Sequence, residues 1–198
     1  GACRRPAVST LLAVRSRVPA ARAWLVLTAI VVCSAGIRTA LGHRIVAPWI
    51  MIDEIVYSEL AKSFAAHGQF SVRGVPSHGY GFVYPVLIAP AWRIFASVPD
   101  AYVAAKAINA VVMSLAAVPA YLLACRLVSR PLALVAAALT VSVPSMLYTG
   151  TLMTENAFYP VFLVCVLALV AMLERPTVRR QLLVLVLCAA AYGTRQQA

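Results

Sequence analysis

Negative charge is what this sequence has least of. Six acidic residues stand against 17 basic ones, for a formal net charge of +11 in 198 residues. Charge of either sign is scarce, at 12 %, while 63 % of residues are hydrophobic. That balance excludes an ordinary soluble domain and describes an all-α, polytopic membrane protein. Lysine is nearly absent, 15 of the 17 basic residues being arginine. In a membrane chain the basic excess is the kind that collects on cytoplasmic loops, so no nucleic-acid partner is expected. The five cysteines are odd in number, form no CxxC and lie mostly in or beside apolar runs, which excludes a disulfide framework and a zinc ribbon. His43, His67 and His78 are far apart and belong to no ligand motif, so neither a metal nor a cofactor is expected.

Against this background the acids that are present are conspicuous. Asp53, Glu54 and Glu59 fall within Met51-Ile-Asp-Glu-Ile-Val-Tyr-Ser-Glu59. From there Ile52, Val56, Leu60 and Phe64 recur every four residues, with Ile55 and Ala61 beside them, which is one face of a helix. Ser58, Glu59, Lys62 and Ser63 fall on the opposite face, as in a helix lying along a membrane surface. Two readings of Asp53 are open on these residues alone: a helix N-cap with Glu54 in the dipole-favoured first turn, or a pair of carboxylates placed for chemistry.

Five apolar runs divide the chain: 23–41, 101–124, 131–148, 157–173 and 182–192. At about 20 residues per crossing, they predict about five transmembrane helices, the last if more sequence continues it. The second should bend at Pro119, and the third contains Pro144. The chain opens on Gly and stops just after an apolar run, as an N-terminal fragment of a longer protein would. Two regions are expected: a basic cytoplasmic N-terminus over 1–22, and one transmembrane domain over 23–198 that includes an outer loop, 42–100.

The short loops set the orientation. Arg126 and Arg130 lie between runs two and three, and Arg175, Arg179 and Arg180 between runs four and five, so these loops and the N-terminus belong in the cytoplasm. Five of the six acids, all but Glu174, then fall on the outer side. Within the outer loop, Gly81-Phe-Val-Tyr-Pro-Val-Leu-Ile-Ala-Pro-Ala-Trp92 is apolar but too short to cross, which predicts an interfacial or re-entrant helix.

The order of these features is similar to a known pattern. An N-terminal span comes first, then Asp53-Glu54 opening an amphipathic helix, Tyr84-Pro85 before a short apolar helix, a long span, a basic turn, and Met153-Thr-Glu-Asn156. The chain, from Trp24 to Arg195, resembles the N-terminal half of GT-C glycosyltransferases, in particular the bacterial relatives of protein O-mannosyltransferases and of lipid A aminoarabinose transferase. The resemblance implies a GT-C-like helical bundle that moves a sugar from a polyprenyl-phosphate carrier to an acceptor outside the cytoplasm. It makes Asp53 the catalytic base, with Glu54 completing the motif, and Glu155 the second acidic residue of the site. The outward-projecting cations Arg195, Arg38 and Lys106 stand as donor-phosphate ligands or as anchors at the membrane interface, to which Arg38 near the end of the first run can reach; Tyr84 and Trp92 stand as stacking partners for sugar or prenyl chain or as members of an aromatic belt. The implied partners are the lipid-linked sugar, the extracytoplasmic acceptor and the bilayer.

Two other classes compete with the enzyme. One is a transporter coupled through Asp53 and Glu155, although no inverted repeat is visible and both acids sit at a surface rather than mid-span. The other is a non-catalytic membrane subunit that binds lipid carriers. The charge asymmetry itself makes a prediction. A cysteine at Ser77 should react with an impermeant thiol reagent in intact cells, and one at Thr177 should not; labelling of Thr177→Cys would reverse the orientation.

Overall fold

A computed structural model describes residues 19–45, 52–77, 79–143 and 148–195. The basic N-terminal arginines up to Arg17, together with Met51, His78 and Pro144, lie outside them. The described chain is helical apart from one small hairpin. Its helices are α1 (Ala20–Gly42), α2 (Ile52–His67), α3 (Val83–Ile94), α4 (Val98–Ser114), α5 (Ala117–Ala124), α6 (Arg130–Ser142), α7 (Glu155–Glu174) and α8 (Val178–Thr194). Strands β1 (Ser71–Val72) and β2 (Val75–Pro76) pair antiparallel. Arg73 and Gly74 between them both take positive φ, 51° and 82°, which is what a two-residue hairpin turn matched to strand twist requires.

Three segments are long and apolar enough to cross a membrane: Ala20–Gly42, Val98–Ala124 and Glu155–Glu174. Two of the five expected spans are not supported at that length. Helix α6 has 13 residues and α8 has 17. The cause is local for α6. Val143 precedes Pro144 and is extended (φ −62°, ψ 137°), as the clash between a proline ring and the preceding residue demands, so the helix ends at Ser142.

Proline also shapes the middle span. The helix breaks between α4 and α5 at Leu115 and Ala116, one turn ahead of Pro119. Pro119 has no N–H for the Leu115 carbonyl, and that carbonyl instead accepts from Val118 at 3.0 Å. The expected bend is therefore a tightened turn four residues earlier than the proline itself.

Two apolar clusters flank this break. One joins Ala23 and Leu27 of α1, Ala117 and Tyr121 of α5, and Ala133, Leu134, Ala137 and Val141 of α6. The other joins Ala61 of α2, Tyr84, Ile88 and Ala91 of α3, Tyr102 and Ala105 of α4, Leu152, and Ala157 of α7. Alanines recur at the closest approaches, where a small side chain lets helices pack without a hydrophobic drive from water. Large apolar side chains remain outward along the spans, among them Leu25 and Ile37 of α1 and Phe162 and Leu173 of α7. In water such a surface would aggregate; against lipid it costs nothing.

Helix α2 turns inward only part of the face its spacing predicts, rotated so that Glu54 joins Leu60 and Ala61 inside. Its buried residues are Glu54, Leu60 and Ala61, while Ile52 and Ile55 are exposed. Helix α3 lies against both α2 and α4, and α8 reaches α3. That last contact is made by glycine. A Cβ on Gly81 would sit 2.5 Å from the Thr194 carbonyl oxygen and 2.6 Å from that of Gly193, so the backbone before α3 passes directly against the end of α8. Gly81→Ala should therefore lower stability by about 1–3 kcal/mol, the usual cost of overpacking. Gly36→Ala, where a Cβ meets nothing within 4 Å, should not. Thermal melts of the two variants in detergent check this, and equal melts would overturn it.

Candidate functional site

The close pass of Gly81 and α8 brings four segments around one small polar pocket. Asp53 and Tyr57 come from the first turns of α2. Gly79, Tyr80 and Gly81 come from the turn before α3. Met153, Thr154 and Glu155 open α7, and Arg195 follows α8. Asp53 and Tyr57 share the pocket because residues four apart lie on one helix face. Asp53 stands inside the first turn of α2 and is exposed.

Glu155 and Arg195 form an ion pair, with Arg195 Nη1 3.3 Å from Glu155 Oε1. Both side chains are part-exposed, so solvent screens the pair and its contribution to stability is small. Thr154 Oγ1 donates to the other Glu155 oxygen at 3.4 Å. With this pair closed, the free volume is about 40 Å3. A larger cleft of about 250 Å3, lined also by Leu60, Phe70, Ser77 and Phe82, shares the Gly79–Gly81 turn with this pocket.

Aromatic rings wall the pocket. Tyr57 meets Tyr80 edge-on at 5.8 Å and Tyr84 at 5.6 Å. Burial, and secondarily the negative charge of Asp53, push the Tyr57 phenol above its ordinary pKa. The phenol therefore stays neutral and able to donate a hydrogen bond well into the alkaline range. Tyr57, Tyr80 and Thr154 were not singled out from the sequence. The i, i+4 step from Asp53 to Tyr57 is the one signal that finds any of them.

Of the residues named from sequence, Asp53, Glu155 and Arg195 meet here. Three others do not. Tyr84 is fully buried, its hydroxyl paired with Asn109 at 3.0–3.2 Å, so it offers no face to a sugar. Burial raises its pKa beyond the normal phenol range. Lys106 is buried and its Nζ donates to the carbonyls of Gly42 (2.7 Å) and Ile45 (2.5 Å), not toward the pocket. Glu54, adjacent to Asp53 in sequence, is 1 % exposed and lies on the inner side of α2. Its Oε1 accepts from the Tyr102 hydroxyl at 2.5 Å and from the Leu152 N–H at 2.9 Å. One helical step of about 100° separates the two carboxylates into solvent and interior.

Arg38, expected to reach for the membrane interface, turns inward and donates to Ser34 Oγ (3.1 Å), the Val141 carbonyl and Thr149 Oγ1 (3.5 Å). Trp92 packs beside the second apolar cluster. Among the described residues no three His, Cys, Asp or Glu side chains gather where a metal would be held.

These placements separate structural from accessible groups. Tyr84→Phe removes a buried hydrogen bond and leaves Asn109 short of a partner, so it should cost about 1–3 kcal/mol. Arg195→Gln breaks only the screened pair and should cost under about 1 kcal/mol. Chemical denaturation of both variants checks the order; a larger loss for Arg195→Gln would mean the pair is part of the scaffold.

Comparison of the chain with protein-family models, curated proteins and solved structures finds no match.

Proposed function

We propose that this chain belongs to a multi-pass membrane glycosyltransferase with a GT-C-like site, acting on the extracytoplasmic face of the plasma membrane. The observation that carries the reading is the shared pocket of Asp53, Glu155 and Arg195, drawn from α2, α7 and the end of α8. An exposed carboxylate, a second carboxylate paired to an arginine, and phenols around them are the parts that sugar transfer needs. Asp53 takes the proton from the acceptor hydroxyl as its oxygen attacks the anomeric carbon. The bond from that carbon to the carrier phosphate breaks, the configuration inverts, and the polyprenyl phosphate leaves with the electron pair. Arg195, released from Glu155, meets the growing negative charge on the phosphate. Glu155, thus freed, accepts hydrogen bonds from sugar hydroxyls.

A sugar does not fit in about 40 Å3, so the Glu155–Arg195 pair must part when donor binds. Its exposed, screened character makes that inexpensive. The cleft that shares the Gly79–Gly81 turn gives the acceptor an approach.

Asp53→Asn keeps shape and hydrogen bonding but cannot take a proton, so it should reduce transfer from a radiolabelled polyprenyl-phosphate sugar by about 10²–10⁴-fold at normal expression. Glu155→Gln should fall between it and wild type. Transfer by Asp53→Asn at the wild-type rate returns this residue to a structural role. Uptake of a solute by the wild-type protein, with no sugar converted, identifies a transporter instead.

A further inference from the structure

Helix α4 carries a buried polar stripe that the reaction does not use. Tyr102, Lys106 and Asn109 are spaced as i, i+4 and i+7, one face of a helix, and all three are buried. Each binds a different segment. Tyr102 donates to Glu54 on α2. Lys106 holds the carbonyls that end α1, with its ammonium 4.5 Å above the Tyr102 ring. Asn109 Nδ2 donates to the Thr151 carbonyl at 3.0 Å, and Asn156 Nδ2 donates to the same carbonyl and to that of Tyr148, each at 3.0 Å. The turn that leads into Glu155 is thus held from below by side chains.

Glu54 closes this arrangement. It is bonded both to α4, through Tyr102, and to that turn, through the Leu152 N–H 98 positions away in sequence. Its other oxygen is buried without a partner, so the carboxylate is kept inside at a cost that a merely capping residue would avoid by turning out to water. Asp53 precedes it on α2, and Glu155 follows Leu152 by three residues. A shift of the Glu54–Leu152 bond therefore moves one wall of the pocket against the other.

We propose that Glu54 is a positioning residue: by gripping Tyr102 and Leu152 at once, it sets the spacing between Asp53 and Glu155. This rests on the reading that those two carboxylates work together, and its test has an arm that does not. The charge of Glu54 is not what matters for the grip, because an amide oxygen accepts the same two hydrogen bonds.

The experiment uses the whole protein in its membrane. With Asp53→Cys and Glu155→Cys introduced together, a short thiol-to-thiol bifunctional reagent should join the two side chains, since both line one small pocket. Adding Glu54→Ala should slow that cross-linking by about tenfold, the scale of losing hydrogen bonds to a charged acceptor, while Glu54→Gln should keep it within about twofold. Cross-linking at the parent rate in Glu54→Ala overturns the proposal. If Glu54→Ala does not accumulate, Tyr102→Phe removes one donor and keeps the Leu152 bond; it should slow cross-linking at least about threefold, and an unchanged rate is equally fatal.

In the native-cysteine protein, the transfer assay separates positioning from catalysis. Glu54→Gln should retain kcat and its pH profile, whereas Glu54→Ala should lose kcat about tenfold or more with little change in KM for donor. Loss of activity in Glu54→Gln as deep as in Asp53→Asn would make Glu54 a reacting group and overturn the positioning role. A wild-type protein without transferase activity removes the reading of the site, yet leaves the cross-linking result to stand or fall alone.

Discussion

A carboxylate in an apolar interior constrains the helices on every side of it. Glu54 is buried, and an isolated charge there is too costly to keep unless hydrogen bonds and a nearby cation replace the lost water. Tyr102 and the Leu152 N–H replace it at one carboxylate oxygen, with the Lys106 ammonium over the Tyr102 ring beside them. Those partners come from α4 and from the turn before α7. Satisfying one side chain therefore docks α2, α4 and α7 in a single mutual arrangement. The apolar cluster of Tyr84, Ile88, Ala105, Leu152 and Ala157 fills the space around the same junction. Packing supplies the bulk attraction there, and the polar bonds select which packing is adopted.

The pocket is a consequence of that docking. Once the inner face of α2 is committed to Glu54, its outer face presents Asp53 and Tyr57 beside the start of α7. The remaining wall depends on glycine. Only a residue without a Cβ allows the chain at Gly81 to lie against the Gly193 and Thr194 carbonyls, and that contact delivers Arg195 to Glu155. Rigid buried bonds thus surround a weak, screened ion pair. The site has a firm frame and an ion pair that parts at little cost.

Much of this frame was legible along the chain, because run length and period are local properties. Three apolar stretches long enough to span read directly as α1, α4–α5 and α7. The amphipathic α2 and the short apolar α3 lie close to where their sequence patterns place them. The misreadings share a cause. Tyr84 and Lys106 look like ligand-binding groups when only their residue types are known, since a phenol and an ammonium are as useful to a sugar phosphate as to a buried carbonyl. Ile52 and Ile55 look like core positions because a helix period reports an apolar face without saying whether lipid or protein covers it. Helix α6 is shorter than its apolar run for another reason: composition continues past Ser142, but the extended backbone imposed ahead of a proline does not continue a helix.

By itself, then, the sequence determined the membrane character, the main spans, and the gathering of scarce acids near the ends of helices. Those follow from composition, hydrophobic run length and the 3.6-residue period, each decided within a few turns. Tertiary structure alone decided which of two adjacent carboxylates faces outward. It alone paired Glu54 with an N–H 98 residues away and set Arg195 on Glu155. Nothing local distinguishes Asp53 from Glu54; a rotation of one residue on a helix does, and that rotation is set by what α4 and the Leu152 turn offer in space.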